Sequence, residues 1–458
     1  MSTQTTIEEN RHELSKSTYL YGCQCPKRLF LYKYKKELRD EITEQQQQVF
    51  TRGTEAGILA RDLFPGGVNA EPPDPFQYPL SVAKTKEFIK QGKTIIYEAA
   101  LIHKGVLCAL DILVKKEGKW YGYEVKSVNN VEQKHINDAA LQHWVLTGAG
   151  IQLEDFSIVH FDREYVFDGT LDIHKLFKFT SVLEDIDGLA PDIEKKAAEL
   201  IAMLRKKEEP QIGPGEHCFD PYTCDFAGHC GAHEWQEEND SSEPGNKQHD
   251  KKALKEYFKD WKYPLYYFDF ETYKFGIPQF APSRPYQNIP FQYSLHVQKK
   301  KGGPVEHFEF LGDGINDPRE ELIKRMLKDL GTTGSIVTWN QSFELTAIKE
   351  MARDYPNYAK ALNALTSRVV DLMVPFRRKQ FELPEFYGSW SLKNVLTPMV
   401  PELSYEVLEV QDGLAAGFEY SQLEGMTPAE QKTARENLLE YCKLDTFAMV
   451  EIMNRLLK

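Results

Sequence analysis

Between Gln236 and Lys252 the chain reads QEENDSSEPGNKQHDKK, without one large apolar side chain. Such a stretch has nothing to bury and reads as a linker. Apolar, patterned sequence resumes on both sides, so a chain of 458 residues must build two cores. The implied organisation is a first domain at 1–235, a linker at 236–261 and a second domain at 262–458. Within each domain, strand-like apolar runs mix with helix-period stretches, which makes the expected fold class α/β. No motif recurs at a period of roughly 20–50 residues, which argues against a repeat architecture. The Gln45–Gln48 run is low in complexity, but it lies in a helical pattern (Ile42, Val49, Phe50, Ala56, Leu59, Leu63) closed by Pro65-Gly66-Gly67. A solvated helix face accounts for it.

Composition bounds the partners. Lys and Arg number 56 against 69 Asp and Glu, a formal net charge of −13. That balance argues against a protein that coats DNA regardless of sequence, whose phosphate contacts need a basic surface. Local basic patches must therefore do any nucleic-acid binding. The start, MSTQTTIEEN, lacks a basic stretch followed by an apolar one, and no run of roughly 18 apolar residues occurs. The expectation is a cytoplasmic chain without a membrane span, whose seven cysteines stay reduced.

Three consecutive strands are expected at Lys93–Ala100, Val106–Val114 and Trp120–Val125, followed by a helix from about Glu132 to Thr147. Asp111 interrupts an otherwise apolar strand, and Glu124-Val125-Lys126 follows thirteen residues later. Alternate strand residues share a face, so Glu124 and Lys126 point the same way, and a hairpin at Glu117–Lys119 brings Asp111 beside them. Two acids converging in a partly buried place are costly unless a cation holds them, and Mg²⁺ or Mn²⁺ with oxygen ligands is a natural occupant. The bland alternative is a surface hairpin with a solvent-facing Glu–Lys pair. With Glu98 on the preceding strand and Gln142 on the following helix, the order resembles the PD-(D/E)XK nuclease superfamily and its RecB-like branch. That resemblance implies Asp111 and Glu124 as metal ligands, Lys126 as catalytic, Glu98 as a supporting acid and Gln142 as a substrate-side or structural contact. RecB-like nucleases often carry a metal-binding His after a Gly in the first helix, and Gly53-Thr-Glu-Ala-Gly57 offers none.

Cys218, Cys224 and Cys230 cluster in a loop rich in Gly and Pro, which is hard to order without a staple. Three thiolates leave a tetrahedral centre one ligand short, and the N-terminal Gly22-Cys-Gln-Cys25-Pro-Lys-Arg holds a candidate. One early and three late cysteines resemble the iron–sulfur clasp of AddB-type and CRISPR-associated RecB-like nucleases. It implies a structural [4Fe–4S] cluster on Cys25, Cys218, Cys224 and Cys230, with Cys23 in reserve. Zn²⁺ suits the same four sulfurs. Lys27, Arg28, Lys33, Lys35 and Lys36, interleaved with Phe30, Tyr32 and Tyr34, fit either a DNA path or a solvated helix face.

The second domain opens on a compact strand, Pro264–Phe270, in which Asp269 and then Glu271 share one face among aromatics. Further elements are expected at Phe291–Val297 (strand), Pro318–Leu330 (helix), Ser335–Thr338 (strand) and Pro428–Leu457 (long helix). Asn340-Gln-Ser-Phe343-Glu344 falls at a strand-to-helix junction, and Tyr441 and Asp445 lie four apart on the last helix. These motifs in this order resemble DEDD 3′–5′ exonucleases of the tyrosine subtype, with an RNase H-like fold. The resemblance implies two metal ions held by Asp269, Glu271, Glu344 and Asp445, with Tyr441 orienting the attacking water. Glu344 stands where the family usually has Asp, and Asp371 is an alternative or additional ligand. Together the halves resemble a bacterial family joining a RecB-like domain to a DEDD-type domain. The reading is a two-domain, metal-dependent exonuclease acting on nucleic acid, DNA ahead of RNA, in DNA repair or defence. The alternatives are a nucleic-acid-binding scaffold with one or both sites inactive, and an RNA-processing exonuclease.

Overall fold

Two-residue turns shape the first sheet. In the computed structural model, which describes residues 11–42, 44–74, 77–240, 247–405 and 408–458, β3 (Ile95–His103) and β4 (Val106–Lys116) meet at Lys104-Gly105. Strand β4 and β5 (Lys119–Lys126) meet at Glu117-Gly118. All four turn residues have positive φ, the type I′ geometry whose twist matches that of paired strands. The N-terminal MSTQTTIEEN and residues 241–246 of the acidic stretch lie outside the described residues. The chain is mixed α/β and divides into two units, Met1–Glu238 with Gly276–Pro278, and Asn239–Phe275 with Gln279–Lys458.

The first unit is a seven-stranded mixed sheet. Its main path runs β2 (Val68–Asn69), β3, β4, β5, β6 (Leu153–Phe161), β7 (Phe177–Ser181), and the short β1 (Leu14–Ser15) pairs with β4. Helix α1 (Lys16–Gln24) leads into α2 (Pro26–Tyr34), and α3 (Glu44–Ala60) and α4 (Tyr78–Lys90) precede the β3–β5 meander. Helix α5 (Gln133–Gly148) lays Ala139, Trp144 and Val145 into a core with Leu110, Leu113 and Phe156. Helix α6 (Ala190–Lys206) adds Ile193, Ala197, Leu200, Ile201 and Leu204, a stripe at helical spacing.

The second unit corrects the linker. Gln248–His249 (β8) is a short strand, and Lys251–Phe258 (α7) is a helix capped by the Asp250 side chain on the Ala253 N–H at 2.9 Å. Leu254 and Phe258, four apart, bury in the second core, so the expected 236–261 linker extends too far. The apolar pair lies just beyond the polar window that suggested it. A five-stranded sheet follows, ordered β11 (Val305–Leu311), β10 (Asn288–Gln298), β9 (Leu265–Lys274), β12 (Ser335–Thr338), β13 (Val369–Asp371). Strands β9, β10 and β11 are antiparallel neighbours, while β9, β12 and β13 run parallel.

Alternation along β9 organises this unit. Tyr266, Phe268 and Phe270 join a core with α8 (Arg319–Leu330), α9 (Gln341–Asp354) and α10 (Ala359–Thr366). Leu265 and Tyr267 join the opposite core, to which α11 (Leu392–Met399), α12 (Gly413–Gln422) and α13 (Pro428–Leu456) contribute. The small β14 (Phe381–Glu382) pairs with β8. Asp269 and Glu271 thus sit on the α13 face by strand parity alone.

Gly334, which leads into β12, has φ +86°, and an added Cβ would stand 2.2 Å from the Pro264 carbonyl oxygen. Gly334→Ala is therefore expected to destabilise the chain by about 1–3 kcal/mol, read as a lower urea midpoint. An unchanged midpoint would contradict this packing.

Candidate functional site

Three acids of the first unit line up across its sheet. The β3–β4 ladder pairs Tyr97 with Ile112 and Ala99 with Leu110, which sets Glu98 opposite Asp111. The β4–β5 ladder pairs Ile112 with Tyr123, which brings Asp111 level with Glu124 one step on. There Asp111 Oδ2 accepts the Val125 N–H at 2.6 Å, a side chain standing in for a ladder partner. Glu98 holds φ at 52°, a conformation that a non-glycine residue keeps only when its surroundings impose it.

This centre contains its own cations. Glu124 Oε1 accepts from Lys126 Nζ at 2.8 Å and from Lys16 Nζ at 2.7 Å. Asp138, on α5, accepts from Lys126 and also from Lys16 at 3.4 Å. Arg61 Nη2 donates to Glu98 Oε1 at 2.9 Å. Burial opposes ionisation of Glu124, but Lys126 and Lys16 hold its carboxyl well below the usual range. Burial and the neighbouring Glu124 push Asp111 well above its usual range. Burial would lower Lys16, yet Asp138, Glu124 and Asp111 keep it well above the ordinary lysine value. Lys126 is raised by Glu124 and Asp138, again against burial. Glu124 Oε2 and Asp138 Oδ1 are buried without hydrogen-bond partners, which leaves acceptor capacity for a divalent cation. Gln142 lies fully buried one turn beyond Asp138, with neither amide atom partnered.

The second unit gathers acids from the middle of β9 and from the carboxyl ends of its parallel neighbours β12 and β13. Asp269 and Glu271 come from β9, Glu344 from the first turn of α9 just after β12, and Asp371 from the end of β13. Helix α13 brings Tyr441, Cys442 and Asp445 to the same centre. It docks on β10 through polar contacts: Gln292 Nε2 donates to the Leu438 carbonyl at 2.7 Å, and Thr446 Oγ1 lies 2.7 Å from Ser294 Oγ and 2.8 Å from His296 Nδ1. Ser294 and Gln292 are the register partners of Asp269 and Glu271, so these contacts align the helix with the acids. Asp371 is partly committed elsewhere, because its Oδ1 accepts the backbone N–H of Met373 at 2.9 Å and of Asn340 at 3.3 Å. It thereby anchors the turn that presents Glu344.

This second centre is short of positive charge. Burial, then the proximity of Asp445, drives Asp269 well above its usual range, while burial and Asp269 do the same to Glu271 and to Glu344. Burial raises Asp445 to about 6, although Tyr405, Lys393 and Tyr441 favour its charged form. The Tyr405 hydroxyl donates to Asp445 Oδ1. Glu344 Oε2 is buried with no hydrogen-bond partner. Like charges this close do not ionise together without a cation, and the donor set is all oxygen apart from Cys442. The residues therefore fit divalent metal ions.

The four expected cysteines line one cavity: Cys25, Cys218, Cys224 and Cys230 surround it together with His217. Among the described residues, no three of these sulfurs come within 4.8 Å of one another. Four thiols around one cavity suit either a tetrahedral Zn²⁺ or an iron–sulfur cluster. The neighbouring basic run does not form an open DNA path throughout. Arg28 and Arg39 each bind Asp225 at 2.7 Å, while Lys35 and Lys27 bind Glu209 at 2.7 and 3.5 Å. These pairs clasp α2 to the cysteine loop, and Lys36 lies over the Tyr32 ring.

Sequence reading missed Lys16, Asp138 and Arg61 in the first centre, and Tyr405, Lys393 and Cys442 in the second. Asp138 carried a signal, since it precedes Gln142 by one helical turn on the same face. So did Cys442, which is three residues before Asp445 on the inward face of α13. Lys16 carried none, being 108 residues from Glu124.

Stability should report the charge imbalance. Asp445, near 6 when folded and about 3.9 when unfolded, makes the native state bind more protons between these values. Stability then falls as pH rises through that window, by about 3 kcal/mol for this group alone. Asp269, Glu271 and Glu344 act in the same direction. Glu124 has the opposite sign: its contribution is full above the unfolded value of about 4.3 and is lost as pH falls through its depressed native value. Urea midpoints in chelator are expected to fall from acid to neutral pH, with saturating Mn²⁺ flattening the slope. A slope indifferent to Mn²⁺ would count against a cation site.

One family model matches the chain, described as a domain of unknown function (DUF2779), over residues 266–391. That span holds Asp269, Glu271, Glu344 and Asp371, and stops short of Tyr441 and Asp445. No curated protein matches the chain.

Proposed function

We propose that the chain is a metal-dependent nuclease whose second unit is a DEDD-type 3′–5′ exonuclease with an RNase H-like fold. One observation carries this reading: half-buried Asp269 stands with buried Glu271, Glu344 and Asp445, and all four have carboxyls pushed upward. Burying acids without a counter-charge is destabilising, and a fold retains such a cluster when a ligand cation compensates it. Mg²⁺ or Mn²⁺ bound there would stabilise the attacking and leaving oxygens of a phosphodiester. The chain's own part is positional. Glu344 sits in the first turn of α9, Tyr405 donates to Asp445, and Tyr441 stands beside Asp445 to orient a water.

The first unit is read as a RecB-like PD-(D/E)XK domain. Support comes from the alignment of Glu98, Asp111 and Glu124, with Lys126 two residues on along β5. The cysteine centre is read as a structural [4Fe–4S] clasp on Cys25, Cys218, Cys224 and Cys230. A second reading applies to this unit, favoured by Lys16. Its ammonium hydrogen-bonds Glu124 and Asp138 where a metal ion's charge would otherwise sit, and this suits a nucleic-acid-binding scaffold with an inactive centre. DNA is placed ahead of RNA on the RecB-like resemblance alone, with a cytoplasmic role in repair or defence.

The test is degradation of end-labelled single- and double-stranded DNA, with parallel RNA, in Mg²⁺ or Mn²⁺. Asp269→Asn is expected to lower 3′–5′ degradation by on the order of 10²-fold or more. Asp111→Asn reports separately on the first unit, and loss confined to Asp269→Asn would make that unit a scaffold. Nucleic acid bound but never cut by the native chain would overturn the nuclease reading. An RNA-only activity would replace DNA with RNA.

For the cysteine centre, anaerobically purified protein should contain iron and acid-labile sulfide in equal amounts. Cys224→Ser should lose both. Zinc without iron would replace the cluster with a single metal ion.

A further inference from the structure

Cys442 is fully buried on the inward face of α13, yet its Sγ has acids among its neighbours. Its Sγ lies 4.0 Å from Asp269 Oδ2, and ligand atoms of Asp269, Glu271 and Cys442 all fall within 4.8 Å of one another. In a tetrahedral site with metal–sulfur and metal–oxygen distances of about 2.3 and 2.1 Å, sulfur and oxygen stand about 3.6 Å apart. Only a small closure separates the observed positions from that geometry. A second observation points to the same place. Glu344, 1% exposed, lies beside Asp269 and keeps Oε2 without a hydrogen-bond partner.

A cysteine that merely fills space gains most from apolar neighbours. Here the thiol faces carboxylates that already lack positive charge, with Tyr441 beside it and Asp445 one turn along the same helix. Its sulfur adds a soft donor to an otherwise hard oxygen set, and soft donors favour thiophilic or borderline cations over Mg²⁺.

We infer that Cys442 is a metal ligand which, with Asp269 and Glu271, forms an O,O,S site for a thiophilic or borderline divalent cation such as Zn²⁺, Co²⁺ or Cd²⁺. The inference rests on reading this centre as a metal site and deepens that reading by naming the class of ion. On coordination the thiol becomes a thiolate and its proton passes to solvent. Mg²⁺ is still bound, through the carboxylates alone, so the two classes of ion compete for the centre.

The experiment is a Cd²⁺ titration of the full chain, following thiolate-to-metal absorption in the ultraviolet and heat of binding together. Native protein is compared with Cys442→Ser. The four-cysteine centre is present in both, so the difference spectrum isolates Cys442. The expected result is a saturable band in the native chain that Cys442→Ser loses, with Cd²⁺ affinity at this centre falling at least about tenfold. Mg²⁺ affinity should change by less than about twofold, because sulfur is a poor ligand for it. Asp269→Asn, which leaves the thiol in place, should lose the same band and serves if replacing the cysteine unfolds the chain. Identical Cd²⁺ spectra and affinities in native and Cys442→Ser protein would overturn the inference. Mg²⁺-dependent cleavage with such identical spectra would keep the nuclease reading and sink this one. A Cys442-dependent band in a chain that cleaves nothing would do the reverse.

Discussion

The second unit depends on two carboxylates, half-buried Asp269 and buried Glu271, on a central strand. Asp269 and Glu271 occupy β9 between two apolar cores, and no elements pack there cheaply around unneutralised charge. The surrounding structure follows from this constraint. Parallel strands β12 and β13 end beside β9 and deliver Glu344 and Asp371, while α13 crosses the same face with Asp445. The polar contacts of Gln292, Ser294 and His296 with α13 are made by residues paired in register with β9 or immediately beside those pairs. The helix is therefore docked where the acids are, and four carboxyls lie within one electrostatic neighbourhood.

The first unit meets a similar problem differently. Its acids Glu98, Glu124 and Asp138 are paired with Arg61, Lys16 and Lys126 from the chain itself, while Asp111 accepts the Val125 N–H. The result is a centre with its own counter-charges, in which Glu124 is held ionised and Lys126 protonated. Helix α1 runs from Lys16 at this centre to Cys25 at its C-terminal cap, so one short element joins the carboxylates to the cysteine cavity. The ion pairs of Arg28, Arg39, Lys27 and Lys35 hold its continuation, α2, onto the cysteine loop. Basic residues that suggested a nucleic-acid surface are in large part the stitching of this clasp.

Local pattern made much of this legible. The β3–β5 meander was readable because its turns carry Gly105 and Gly118 and its strands carry apolar runs. The pairing of Asp269 with Glu271 on one face follows from a period of two, and that of Tyr441 with Asp445 from a helical turn. Less was legible where short elements or distant partners matter. The strand β13 has three residues, too few for any periodic signal. Tyr405 reaches Asp445 from 40 residues away, and Lys16 reaches Glu124 from 108. The acidic stretch hid α7, because a window without apolar residues says nothing about Leu254 and Phe258 immediately after it.

By itself, the sequence determined which residues share a face: acids on β4, β5 and β9, cysteines in one loop, and Tyr441 with Asp445 on one helix. Those relations depend only on the periods of strand and helix, which every chain obeys locally. What tertiary structure alone decided is which of these faces meet, and with what charge. It placed Lys16 and Asp138 on Glu124, committed an oxygen of Asp371 to a turn, and set Cys442 against Asp269 and Glu271. Charge balance in a buried centre is a sum over neighbours in space. Residues far apart in the chain enter that sum on equal terms with residues side by side.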